Sequence, residues 1–409
     1  MQDFTAPDTY PLNCWEVDMD KMKMKYNKTL VFIAACIGMA FFGIAFIIMG
    51  TVLPSLTADY ALDSIGASSL VTFLPVGVLL GSLIFGPVVD RFGYKILLIG
   101  STLAVLLGLQ GLSFFDNLNL LRFCIFLIGL GGGMLNGATN ALVSDISDDK
   151  ERGSKLSILG VFYGIGALGM PLLLGTLSKM YSYQVILQRT GLVLLLCVVY
   201  LVIISFPEPK LKQGFPIKKV FGMIKEPLLL IMSFFLFFQS AIEGLFNNWT
   251  TTYLEGTTAI AKSDVIFSLT FFVLGMTIAR LLLSYLLRVA KNTYVLVGGM
   301  LITALGIILL NSASSFLIAS TALFLTGFGL AAGFPIIISI IGTFYKETTG
   351  TAIGIALFIA LTGNTIINYA MGHIAERFEI SVFPIFILIL LVLQAIIIFT
   401  NLKTIKKNP

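Results

Sequence analysis

Twelve separate runs of about 20 apolar residues fill most of this chain, each as long as a helix must be to cross the ~30 Å hydrocarbon core of a bilayer. They fall at roughly 29–52, 64–88, 94–114, 120–143, 156–178, 189–206, 228–253, 265–287, 293–312, 316–342, 351–373 and 381–402. A soluble fold of this length has one or two cores and no place for so many apolar stretches. Of the 409 residues, 57% are apolar and 11% are Asp, Glu, Lys or Arg, against about 25% charged in a soluble domain. The mean hydropathy is +0.98. These values exclude a soluble enzyme, a disordered scaffold and a nucleic-acid-binding module. Strands of a membrane barrel would alternate in polarity over about 10 residues, whereas these runs are apolar throughout. The expected fold is an all-α membrane protein of twelve transmembrane helices, and the 39 glycines suit it by letting helices approach closely.

An even number of crossings puts both termini on one side of the bilayer. Twenty of the 26 Lys and Arg residues lie in the N-terminal tail, the even-numbered loops and the C-terminal tail. Five (Arg122, Lys179, Arg189, Lys262 and Arg377) lie in the odd loops, and Arg280 lies within span eight. Cytoplasmic loops carry the excess of Lys and Arg, so both termini are expected on the cytoplasmic face of the cell membrane. The +5 net charge is then an orientation signal and implies no nucleic-acid partner. No cleavable signal peptide is expected in the polar first 28 residues. Residues 207–226, rich in Pro, Gly and Lys, read as a cytoplasmic linker between six-helix bundles at 29–206 and 227–402, with cytoplasmic tails at 1–28 and 403–409. The bundles repeat at an offset of about 198: Gly77 falls on Gly275, and Gly129 and Gly131 on Gly327 and Gly329. With one residue of slippage, Gly153 meets Gly350 and Gly166 meets Gly363.

The loop between spans two and three reads Gly86-Pro87-Val88-Val89-Asp90-Arg91-Phe92-Gly93-Tyr94-Lys95. It resembles the G-x-x-x-D-R-x-G-[RK]-[RK] loop of the major facilitator superfamily, with Tyr94 the one departure. The resemblance implies two six-helix bundles related by an axis along the membrane normal, with the substrate site between them near the midplane. Gly86 would allow close helix packing, Gly93 a tight reversal, and Asp90 with Arg91 and Lys95 an electrostatic latch on a cytoplasmic gate. The equivalent loop of the second half, Arg288-Val289-Ala290-Lys291, has no acid, so any latch is asymmetric.

Ionisable residues inside a membrane are costly and mark function. Two lie deep, Glu243 in span seven and Arg280 in span eight, and they are expected to meet directly or through water as a proton-coupling pair. Gln239, Glu243 and Asn247 recur every four residues and form one polar stripe with Thr250. Asn136 and Asn140 share a face of span four, and Asn364 and Asn368 a face of span eleven. Each amide offers both donor and acceptor, which suits a hydroxyl-rich substrate. Tyr163, Trp249 and the span-one phenylalanines offer apolar faces to a sugar ring. His373, the single histidine, reads as interfacial. The scattered cysteines (Cys14, Cys36, Cys124 and Cys197) form neither a disulfide framework nor a metal-ligand spacing. No cofactor or metal is expected. Without a Ser/His/Asp set, a phosphate-cradling loop or paired carboxylates, the chain is not expected to be an enzyme.

Within the superfamily, three stretches resemble the fucose–galactose–glucose:proton symporter branch. They are Asn136-Gly137-Ala138-Thr139-Asn140, Glu243 with Asn248-Trp249 and Tyr253-Leu254, and Leu274-Gly275-Met276-Thr277-Ile278-Ala279-Arg280. The resemblance implies that Glu243 is the membrane acid and that Asn136, Asn140 and Asn248 lie near the sugar. Some members of that branch carry acids in spans one and four; both spans lack them here, so coupling is expected to rest on Glu243. The expected function is proton-coupled import of a hexose-class monosaccharide by alternating access, by a monomer in the lipid bilayer. The alternatives are a drug or metabolite:proton antiporter, which the glycines around Pro171 partly resemble, and a non-transporting membrane sensor.

Overall fold

In hydrocarbon every backbone N–H and C=O must find its partner within the protein, and a helix satisfies all but those at its ends. The computed structural model, which describes residues 26–62, 64–177, 180–209 and 222–407, is accordingly helical. Its elements are α1 (Lys28–Asp59), α2 (Ser64–Phe92), α3 (Tyr94–Phe114), α4 (Leu118–Ile146), α5 (Arg152–Leu177) and α6 (Tyr183–Ile203), followed by α7 (Pro227–Thr257), α8 (Lys262–Val289) and α9 (Asn292–Asn311). The chain continues through α10 (Phe316–Leu330), α11 (Gly333–Phe344), α12 (Thr349–Phe378), a 3-10 turn (Ile380–Val382) and α13 (Phe383–Lys407). Among the described residues, twelve spans are long and apolar enough to cross a membrane, α10 and α11 together making one. Among the described residues there is no strand.

Local chemistry sets the helix ends. Asn27 caps α1 by accepting from the Thr29 and Leu30 amides, and Asn117 does the same for α4. Pro227 occupies the first turn of α7, where its missing N–H costs nothing. Gly93, at φ 82°, makes the one-residue reversal from α2 to α3, a left-handed backbone that other residues resist.

Two spans differ from expectation. Span six begins at Tyr183, not 189, so Arg189 is helical and its guanidinium sits 4.6 Å over the Tyr181 ring. Span ten is broken at Ala331 and Ala332. Pro335 brings no amide hydrogen and its ring clashes with the carbonyl four residues earlier, so the helix restarts at Gly333. Most of the N-terminal tail (1–25) and of the linker (210–221) lies outside the described residues, whereas α13 carries the chain's last turn through Lys407.

The repeated glycines do equivalent work in each half. Gly77 and Gly129 make α2 and α4 touch backbone to backbone, and Gly275 and Gly327 do so for α8 and α10. Gly166 seats α5 on Ala40 of α1, and Gly363 seats α12 on Phe237 of α7. Spans one, four, seven and ten are 61%, 50%, 61% and 72% buried, against 33%, 28% and 39% for spans six, nine and twelve. The second set carries lipid-facing side chains such as Leu196 and Leu301.

The halves meet along α2 against α12 and α5 against α8. The described hydrogen bonds between them involve Asp90, Asp149, Arg152, Ser154, Ser157 and Gly160 on one side. On the other they involve Arg280, Ser284, Arg288, Thr343, Lys346, Gly350 and Thr351. All lie on the side of the membrane where α1 begins and α13 ends, the termini face, which is closed.

Candidate functional site

The closed face has two clusters. Asp90, at the end of α2, accepts from Thr351 Oγ1 at 2.6 Å, the Thr351 amide at 2.9 Å and the Gly350 amide at 3.2 Å. It thereby caps α12 from the other half of the protein, where the helix dipole favours a negative charge. Gly86 makes the approach possible, because a Cβ there would lie 2.7 Å from Thr351 Cα. This contact between the halves thus uses the backbone of α12. Lys95 donates instead to the Val202 and Ile204 carbonyls at the end of α6, and Arg91 lies 5.9 Å from the Phe92 ring. In the second cluster Arg152, 4% exposed, donates to Ser144 O, Ser147 O and Thr343 Oγ1 and pairs with Asp149 at 2.8 Å. Lys346 reaches Asp149 from the other half at 3.2 Å. Burial alone would raise the Asp149 carboxyl, but hydrogen bonds from Lys346 and Arg152 outweigh it and hold it below the ordinary carboxylate range. Arg288, which occupies the place of Asp90 in the repeat, donates to Ser154 Oγ at the start of α5.

Above this closed face, side chains of both halves converge. At about 1.5 Å per residue, Glu243, Tyr163 and Asn364 lie within about 2 Å of the middle of their helices, and Arg280 about 7 Å toward the termini face. Glu243 accepts from Gln239 Nε2 at 2.8 Å. Arg280, 8% exposed, donates to the Gly160 carbonyl at 3.0 Å, and Ser157 Oγ donates to the Arg280 carbonyl. Glu243 and Arg280 are within electrostatic reach but make no ion-pair contact, so the guanidinium bridges the halves. Tyr163 feels the charge of both, and its ring lies 5.4 Å from Phe42 and 6.4 Å from Phe46.

The amides divide into two groups. Asn248 Nδ2 donates to Asn368 Oδ1 at 3.0 Å, and Asn368 Nδ2 donates to Asn364 Oδ1 at 2.8 Å, a ladder joining α7 to α12. Asn247, exposed, donates to the Glu243 carbonyl, and Trp249 packs on Gly372. Asn140 donates to Asn136 at 3.1 Å. By residue count this pair sits about 6 and 12 Å nearer the termini face than the middle of α4, below Asn364 and Asn368. Gln239, expected to line the substrate site, is 2% exposed and turned into its own bundle, with Leu330 O and Gln394 Nε2 as further partners. Neighbours from α10 and α13, which the spacing along α7 cannot reveal, decide this. His373 is exposed beside Glu376 at 3.9 Å.

Arg152, Asp149, Lys346, Thr351 and Gln394 escaped the sequence reading. Gln394 is the polar interruption in the most apolar span, of hydropathy 3.1, a lone amide with no polar residue one turn away on its helix to form a stripe.

The Major Facilitator Superfamily model matches residues 34–363. The glucose/mannose transporter GlcP of Bacillus subtilis (strain 168) is 25% identical over 353 residues, covering 82% of this chain and 86% of its own. The multi-drug resistance efflux pump PmrA of Streptococcus pneumoniae serotype 4 (strain ATCC BAA-334 / TIGR4) is 26% identical over 174 residues, 42% of this chain and 41% of its own. Among solved structures, the transporter FucP in the outward conformation superposes with a TM-score of 0.75 at 16% identity, covering 89% of this chain and 97% of FucP. The chain belongs to the major facilitator superfamily: it is a multi-pass membrane transporter and not an enzyme.

Proposed function

We propose that the protein imports a hexose-class monosaccharide together with protons across the cell membrane, both termini and the 207–226 linker being cytoplasmic. The observation that carries this reading is that Glu243, Tyr163 and Arg280 lie within electrostatic reach of one another inside the membrane, with the Asn248–Asn368–Asn364 ladder linking the same helix α7 to α12. Amides match sugar hydroxyls, and the Phe42–Tyr163–Phe46 cluster gives the ring an apolar wall. The sugar named for GlcP supports the substrate class. Protonation of Glu243 from outside neutralises the acid and admits sugar between the halves; the loaded carrier rocks inward and Glu243 releases its proton to the cytoplasm. The chain works as a monomer, since each element of this cycle lies within one copy.

Glu243→Gln mimics the protonated acid at nearly unchanged shape. In proteoliposomes it is expected to bind and exchange sugar yet lose accumulation driven by a pH gradient. Wild-type accumulation and proton stoichiometry in that variant would refute the coupling role. The partial match to PmrA favours a second reading, proton-driven export of a drug or metabolite. Stabilisation of the purified protein by lipophilic cations and by no monosaccharide would select it.

A further inference from the structure

The tenth span breaks where α7 reaches it. In an unbroken helix the Leu330 carbonyl would accept from the amide four residues on; here it accepts from Gln239 Nε2 at 2.8 Å. The other hydrogen of the same nitrogen goes to Glu243 Oε1 at 2.8 Å, and Gln239 Oε1 accepts from Gln394 Nε2 at 2.9 Å. Gly333, the first residue of α11, lies directly against this amide, where a side chain would collide with it. One buried amide therefore ties the membrane acid to the break. From the break hangs α11, 12 residues long and so about 18 Å. Its far end carries the gate: Gly342 packs on Ser144, Thr343 accepts from Arg152, and Lys346 just beyond it meets Asp149.

We propose that Gln239 is the positioning residue that passes the protonation state of Glu243 to α11 and hence to the gate at the termini face. This rests on the reading of Glu243 as the proton site. An ionised carboxylate offers only acceptors, so it holds the nitrogen of Gln239 toward itself and toward Leu330. A protonated carboxyl presents an O–H, and an amide oxygen matches it. Half a turn of the Gln239 amide brings Oε1 to that hydroxyl and sets an oxygen against the Leu330 carbonyl, two acceptors that repel. The nitrogen then faces Gln394, whose Oε1 is buried without a hydrogen-bond partner in the present arrangement and gains one when its own amide turns, at the expense of the long 3.4 Å donation from Gln394 Nε2 to the Phe235 carbonyl. The α11 helix loses its anchor, and the gate contacts at its other end part.

The charged or titratable groups reaching Glu243 are Arg280 of α8 and Tyr163 of α5. α11 has none, and α13 brings Gln394 as its polar group at this depth. α12 brings Asn364 against Gly244, while His373, Glu376 and Arg377 lie at least about 13 Å further along it.

The test is the pH dependence of the gate in the full chain, read as the distance between spin labels at the exposed positions Lys150 and Glu347 in lipid nanodiscs. A one-unit pKa difference for Glu243 between the two gate states gives about a tenfold change in the closed-to-open ratio across its titration. Glu243→Gln and Gln239→Leu should each flatten that change. Gln239→Met, equal in reach and lacking both donors, should do the same and serves if the leucine variant does not fold. A Gln239 variant titrating like the wild type while Glu243→Gln is flat overturns this inference and leaves the role of Glu243 standing. Wild-type titration in Glu243→Gln overturns both.

Discussion

Removing the Asp90 carboxylate should open the termini face. It receives three hydrogen bonds from the first turn of α12, at 2.6, 2.9 and 3.2 Å, and is 2% exposed. A hydrogen bond to a charged group contributes about 1.5–3 kcal/mol net, and loss of a helix cap costs about 0.5–2 kcal/mol. The three bonds do not add, because water takes them over once the face opens. Asp90→Ala should therefore destabilise the closed state by about 2–3 kcal/mol, a shift of roughly 30- to 140-fold toward open. Asp90→Asn keeps the shape and one acceptor oxygen and loses the charge; about 1 kcal/mol, or fivefold, is expected. The assay is the closed-to-open ratio from label distances between Lys150 and Glu347, one residue beyond the Asp149–Lys346 contact on each side. An unchanged ratio in Asp90→Ala would refute the cap as a source of closure. Equal losses in both variants would show that the one acceptor oxygen kept by Asn does not hold the face closed.

Gly86→Leu should prevent closure by another route, since its Cβ would meet Thr351 Cα at 2.7 Å and the Gly350 carbonyl carbon at 2.9 Å, backbone atoms that cannot yield. Gly169→Ala, facing open space, should leave the same label distance unchanged. The second cluster predicts acid sensitivity. The Asp149 carboxyl is held below its ordinary value of 3.8 in the closed state by Lys346 and Arg152 against the effect of burial. Its contribution to closure is therefore complete above that value and is lost as pH falls through the depressed pKa. Closure measured down that acid range should weaken in the wild type and stay flat in Asp149→Asn; the reverse ordering would remove Asp149 from the gate.

Twelve crossings, the two six-span halves and the loop at Gly86–Lys95 were legible in the sequence because they depend on local composition. A run of about 20 apolar residues has no alternative to a membrane helix, and α1 to α9 lie close to the runs that announced them. The exceptions were span six, whose helix starts at Tyr183 and not 189, and span ten, where Gly333-Phe334-Pro335 carried the warning of a break. Glu243, Arg280 and the asparagines were likewise visible, since a polar group in hydrocarbon stands out wherever it points.

Tertiary structure decided what each of them touches. Asp90 meets an α12 backbone 260 residues away, Arg280 meets Gly160 across the halves without pairing with Glu243, and Gln239 turns to the break between α10 and α11. These choices follow from the rotation of each helix about its own axis and from how closely glycines such as Gly86 and Gly333 let a neighbour approach. The spacing of residues along a chain fixes which side chains share a face. Which neighbour that face meets is set by packing between helices far apart in sequence.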